Sequence, residues 1–136
     1  MYTVEDVKLI ELKVFSDNGI LVATEGSHHV PFPIKRVFHV QGVAPNTLRG
    51  DHAHKVCKQA FQCLRGVCDV VVDDGAKKKA FRLEKPNQLI YVPETVWAAE
   101  TYTTSETLLL VYCDEWYRKD DYIRDYKDFL KFRGIT

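Results

Sequence analysis

The most constraining feature of this chain is its punctuation. Short runs rich in β-branched and aromatic residues, at 7–15, 20–24, 34–40, 59–64, 67–72, 78–83, 89–92, 96–97 and 107–113, are separated by turn-forming residues. The breaks are Ser16-Asp17-Asn18-Gly19, Ala44-Pro45-Asn46, Arg65-Gly66, Asp73-Asp74-Gly75, Pro86-Asn87 and Pro93-Glu94. Asn-Gly and Asp-Gly favour the positive φ of tight hairpins, and proline has no amide to give to a central ladder. Strands this short and evenly spaced predict an all-β antiparallel barrel or sandwich. Residues 7–24 read as an N-terminal hairpin. Only the last segment changes period: from Asp120, the residues Tyr122, Ile123, Tyr126, Phe129 and Leu130 recur at helical spacing, which predicts a C-terminal α-helix capped by Asp120 or Asp121. With 136 residues and no linker or repeat, the chain reads as a single domain over 1–136.

Composition excludes several classes of partner. Lysine plus arginine and aspartate plus glutamate number 19 each, so no field of one sign draws the chain to nucleic acid or an anionic membrane. No apolar run reaches the ~20 residues that span a bilayer, and the first residues lack a signal-peptide pattern, so a cytoplasmic location is expected. Cys57, Cys63, Cys68 and Cys113 show no C-x-x-C spacing and are expected to be free thiols.

The chemistry concentrates in Arg49-Gly50-Asp51-His52-Ala53-His54-Lys55. Side chains two apart on a strand share a face, so His52 and His54 look into one space, beside the positive charge of Arg49 and Lys55. Imidazole titrates near neutrality, which suits either metal ligation or proton transfer. The other histidines carry less. His28 and His29 are adjacent in a loop and face opposite ways. His39, on the polar face of the 34–40 strand with Lys35, either lines a cavity or faces solvent at an edge. Lys77-Lys78-Lys79 reads as a solvated charge run.

A metal-binding cupin would set a carboxylate about five residues after such a pair and a third histidine on a later strand. Gln59 stands at the first position and no histidine at the second. Two imidazoles without a third strong ligand hold a divalent ion weakly, so the expectation is proton transfer with no metal and no other cofactor.

The RGDHAHK element, Gln59, Val70-Val71-Val72-Asp73-Asp74-Gly75, Trp97, and Asp121-Tyr122-Ile123-Arg124-Asp125-Tyr126 with Phe129-Leu130 together resemble the WxcM-like or FdtA-like sugar-nucleotide 3,4-ketoisomerases. The resemblance runs from about residue 34 to 132. It implies a cupin-type antiparallel β-barrel (jelly roll) and a homodimer, and the 7–24 hairpin, with few residues to cover its faces and edge, is expected in the contact. It also implies a metal-independent isomerase that moves the ketone of dTDP-4-keto-6-deoxyglucose from C4 to C3 in deoxyamino-sugar biosynthesis. In that resemblance His52 and His54 are the catalytic pair, His52 as the C3 base and His54 as the proton relay. Arg49 and Arg124 stand near the diphosphate or enediolate, although Arg124 could equally pair with Asp120 or Asp128 on an exposed helix face. Gln59 orients the sugar, Lys55 adds charge, and His39, Tyr91 and Trp97 line the pocket, core packing being the alternative for the last two.

Three positions depart from the family's pattern: Asp51 inside the motif, His39 in place of a tyrosine, and Ala98 where a histidine or arginine follows the tryptophan. Ala98 leaves the product's C4 configuration, gluco or galacto, unread. A related sugar-nucleotide epimerase and a non-catalytic sugar-nucleotide-binding cupin stay open as alternatives.

Overall fold

The computed structural model describes residues 1–135. Its strands are β1 (Lys8–Glu11), β2 (Val14–Ser16), β3 (Ile20–Val22), β4 (Arg36–Val40), β5 (Thr47–His54), β6 (Gln59–Arg65), β7 (Cys68–Asp73), β8 (Lys78–Leu83), β9 (Gln88–Val92), β10 (Trp97–Tyr102), β11 (Leu108–Cys113) and β12 (Tyr122–Ile123), followed by helix α1 (Tyr126–Phe132). Every paired strand is antiparallel. One five-stranded sheet has the order β1-β9-β6-β11-β4 and the other β12-β5-β10-β7-β8, with β2-β3 as a separate ribbon. From β4 on, successive strands cross from one sheet to the other except at the β7–β8 hairpin, which fits the jelly-roll arrangement expected from the strand spacing.

The alternation of β6 shows how sequence sets the layers. Phe61 and Cys63 point between the sheets, where they meet Val70, Val72, Ile90 and Val111. Ala60, one residue off in register, faces outward and is covered by Leu12, Val30, Phe32, Leu89 and Tyr91. β6 is buried at every position from Gln59 to Cys63, the polar Gln59 and Gln62 included, while the edge strand β8 alternates exposed and covered positions. A third cluster joins Ala53, Trp97, Ile123 and Phe129 and fastens α1 to the outside of the second sheet. All four cysteines are free and buried.

Two element boundaries differ from the sequence reading. The 7–15 run is not one arm of a hairpin: it breaks at Leu12, which is 3 % exposed and bonds the Asn87 carbonyl, so β1 pairs with β9 and only β2 and β3 form the ribbon. The Asn18-Gly19 turn closes that ribbon as expected, with Asn18 at φ 52°. At the other end the helix starts later than predicted. Asp125, not Asp120 or Asp121, is the N-cap and accepts from the Asp128 amide, because Tyr122 and Ile123 are extended and pair with His54 and Ala53. Also, β10 continues through Tyr102, well beyond the short 96–97 run.

Candidate active site

Between the sheets, toward one end, lies a cavity of about 430 Å³. The first sheet contributes Phe38 and Val40 of β4, Gln59 and Phe61 of β6, and Leu109 and Val111 of β11. The second contributes Arg49, Gly50 and His52 of β5 and Glu100 and Tyr102 of β10, and the chain beyond β11 adds Tyr122 and Arg124. Apolar walls with a few converging polar groups are the usual make-up of a small-molecule site.

The histidine pair is built by an irregularity in β5. Across β10, Ala98 stands opposite His52 and Ala99 opposite Gly50, so Asp51 is an extra residue, a β-bulge. Gly50 and Asp51 both have positive φ, 72° and 58°. Strict alternation would put Arg49 on the face opposite His52, and the bulge resets the phase so that both line the cavity. The bulge is held from outside, where the Trp97 indole Nε1 donates to Asp51 Oδ1 at 3.0 Å.

Beyond the bulge the two-residue period holds, and the imidazoles meet at 3.2 Å between their Nε2 atoms. Behind them stands Asp121, whose Oδ2 lies 2.8 Å from His54 Nδ1. The same carboxylate accepts from the Val56 amide at 2.7 Å and the Cys57 amide at 3.3 Å. Burial works to raise the Asp121 carboxyl, but the His54 bond and those amides outweigh it and hold the group below the usual carboxylate range. An ionised Asp121 fixes the proton of His54 on Nδ1 and leaves its Nε2 facing His52, so Asp121, His54 and His52 form one hydrogen-bonded line. Burial, then the neighbouring His54 and Arg124, push the His52 imidazole down to about 4, which keeps it neutral and able to accept a proton at neutral pH. Tyr122 covers both rings, with centroids 4.9 Å from His52 and 4.4 Å from His54, and the Arg124 guanidinium lies over the Tyr122 ring at 4.4 Å.

Of the residues singled out from sequence, the fold brings His52, His54, Arg49, Gln59 and Arg124 together at this cavity. Arg124 is not on an exposed helix face, because it precedes α1. Four do not join them. His39 lies on the exposed face of β4, since the inward positions are Arg36, Phe38 and Val40. Tyr91 is on the outward face of β9, packed with Phe32 in the cluster beneath the N-terminal loop. Trp97 packs on Phe129 and Tyr126 outside this cavity and touches its wall through the bond to Asp51. Lys55 is exposed, outside the cavity lining. Sequence reasoning missed Asp121, Tyr122 and Glu100 as site residues. The only signal for the first two was their place in the Asp121-Tyr122-Ile123-Arg124 run.

Among the described residues two groups of side chains could offer ligand atoms to a cation: Glu25 with His28 and His29 at the surface, where the two rings stack instead of facing opposite ways, and His54 with Cys57 and Asp121 in the interior. In the second group Asp121 Oδ2 is already taken by His54 Nδ1 and the Cys57 amide, which suits a proton line better than a metal.

A jelly roll enclosing a polar cavity with a strand-borne histidine pair defines a cupin-like small-molecule enzyme. Residues 5–134 match the FdtA family model, described as WxcM-like, C-terminal, and the chain belongs to that family. It is 36 % identical over 120 residues, 88 % of this chain and 86 % of the other, to the TDP-4-oxo-6-deoxy-alpha-D-glucose-3,4-oxoisomerase of Aneurinibacillus thermoaerophilus. It also resembles the crystal structure of a 3,4-ketoisomerase from Helicobacter canadensis, with TM-score 0.91, 32 % identity, and 95 % of this chain and 98 % of that one covered. A histidine-to-asparagine variant of the 3,4-ketoisomerase QdtA from Thermoanaerobacterium thermosaccharolyticum, in complex with TDP-4-keto-6-deoxyglucose, matches with TM-score 0.90 at 32 % identity over 95 % of this chain and 94 % of that one.

Proposed function

We propose that this chain is a sugar-nucleotide 3,4-ketoisomerase that converts TDP-4-keto-6-deoxyglucose into its 3-keto isomer. The observation that carries the reading is the line Asp121, His54, His52 ending at a cavity that also holds two arginines. Moving the ketone requires that the C3 proton be removed, that an enediol form, and that C4 receive a proton while one proton passes from the C3 oxygen to the C4 oxygen. The change is redox-neutral and calls for no electron acceptor. Neutral His52 is the base at C3. The proton it accepts is shared with His54 across their Nε2 contact, where the Asp121 carboxylate stabilises the imidazolium. From this pair it is delivered to C4. Arg49 and Arg124 offer fixed donors to the diphosphate or to the enediolate oxygen, and Gln59 supports the sugar from the opposite sheet.

A homodimer belongs to the same reading. Phe15, Ile20 and Leu21 of the β2–β3 ribbon are 50 %, 66 % and 59 % exposed, and Leu9 of β1 is 50 % exposed, an apolar surface that a second copy would cover. A monomeric mass at micromolar concentration with full activity would contradict it.

The test is a proton spectrum of TDP-4-keto-6-deoxyglucose incubated with the protein in heavy water. Ketoisomerase activity gives loss of the C3 proton and ring couplings of a 3-keto sugar. An epimerase would exchange protons yet keep the ketone at C4, and a binding protein would exchange none.

A further inference from the structure

The proton line leaves one buried carboxyl group of the cavity unused. Glu100 projects inward from β10, directly opposite Arg49 in the β5–β10 register, and lines the same cavity as His52. It is 7 % exposed, and its Oε2 has no hydrogen-bond partner among the described residues. An unsatisfied buried carboxyl oxygen destabilises a folded chain, so it calls for a partner that binds. The backbone is also cleared for it. A Cβ on Gly50 would lie 1.8 Å from Glu100 Oε2, so glycine at this bulge is what lets the carboxyl reach the cavity wall.

The charged and titratable groups around Glu100 are Arg49 and Asp51 of β5, Cys68 of β7 and Tyr102 of its own strand. Burial raises the carboxyl up to about 8, against a bond from its own backbone amide and the attraction of Arg49. At neutral pH it is a carboxylic acid, able to donate and accept, and it does not repel an anionic diphosphate in the same cavity.

We propose that Glu100 is a substrate-contacting, specificity-determining residue whose carboxyl hydrogen-bonds the C2 hydroxyl of the bound sugar. This rests on the ketoisomerase reading. In a 4-keto-6-deoxyhexose linked through C1 to a diphosphate, the oxygens at C3 and C4 react and face the histidine pair. C5 carries the ring oxygen and C6 is a methyl, which leaves the C2 hydroxyl as the one sugar hydroxyl without a partner.

The test compares the wild type with Glu100→Leu and Glu100→Gln. Each is assayed for kcat/KM on TDP-4-keto-6-deoxyglucose and on its 2-deoxy counterpart, with inhibition by TDP as the control for a folded nucleotide site. The wild type should prefer the 2-hydroxy sugar by about 10²-fold, and Glu100→Leu should reduce that preference to within about threefold, while TDP inhibits all three proteins alike. Glu100→Gln, which keeps a donor and an acceptor, should retain most of the preference and lack the decline in kcat/KM expected of the wild type above about pH 8. An active wild type without the preference, or a Glu100→Leu enzyme that keeps it, overturns the role of Glu100 and leaves the ketoisomerase reading standing. A wild type that turns over neither sugar removes both.

Discussion

Replacing Asp121 with Asn probes the proton line at its anchor without touching either imidazole. The carboxylate accepts three hydrogen bonds, from His54 Nδ1 at 2.8 Å and from the Val56 and Cys57 amides at 2.7 and 3.3 Å. A carboxamide has one oxygen. If that oxygen stays with Val56, the new NH2 faces the Cys57 amide, donor against donor, and an unsatisfied buried amide costs about 1–3 kcal/mol of stability. The NH2 also forces His54 to accept at Nδ1, so its proton moves to Nε2, the atom that must receive one from His52. The charge that stabilises the imidazolium is lost together with the relay. Removal of a positioned proton-transfer step costs about 10² to 10⁴ in rate, so Asp121→Asn should lower kcat about 10²- to 10³-fold. Inhibition by TDP should persist and the urea midpoint should fall modestly. Turnover is followed by the proton spectrum of the sugar. A kcat within about threefold of wild type, in a folded protein, would refute the claim that Asp121 fixes the tautomer of His54.

His52→Asn and His54→Asn should each keep the fold and lower turnover about 10²- to 10⁴-fold, and only His52→Asn should also abolish exchange of the C3 proton, as read in heavy water. The pH dependence follows from the depressed His52. Its folded imidazole titrates at about 4 against 6.5 for an unperturbed one, so between those values the unfolded chain binds the extra proton. Stability should therefore be full above about pH 6.5 and fall as the pH drops toward 4, by on the order of 3 kcal/mol, a loss that His52→Asn removes in acid denaturation curves. The acid limb of kcat/KM should likewise lie near pH 4, and a limb near 6.5 would show that His52 is not the base. Gly50→Ala meets both a positive φ of 72° and the Glu100 carboxyl, so it should cost about 1–3 kcal/mol in urea unfolding and lower kcat/KM, and a neutral result would mean the bulge is not constrained.

The strands were legible wherever short β-rich runs met turn chemistry. β10 was not, because Ala98, Ala99 and Glu100 have weak β propensity and the strand is fixed by its neighbours β5 and β7. The helix was extended too far because a short strand followed by a helix leaves the same spacing of apolar residues as a longer helix. Asp121 shows how such a reading fails. A carboxylate just before an apolar run suggests an N-cap, and Asp121 does accept backbone amides, but those of Val56 and Cys57, far earlier in the chain. The histidine pair was legible because period two is local. Which aromatic faces the cavity was not, since Tyr91 and Trp97 sit on outward faces decided by the register of whole sheets.

His54 and its anchor Asp121 are 67 residues apart in sequence, and the outer brace of the bulge, Trp97, is itself packed on Phe129 of α1. During synthesis β5 therefore emerges long before Asp121, Tyr122 and the helix that steadies Trp97. The barrel strands can begin to pair in that interval while the histidines have nothing to set their tautomer. The site is thus completed only once residue 121 and the helix after it have been made, and a nascent protein arrested before residue 121 would hold the histidine pair without the carboxylate that sets its tautomer.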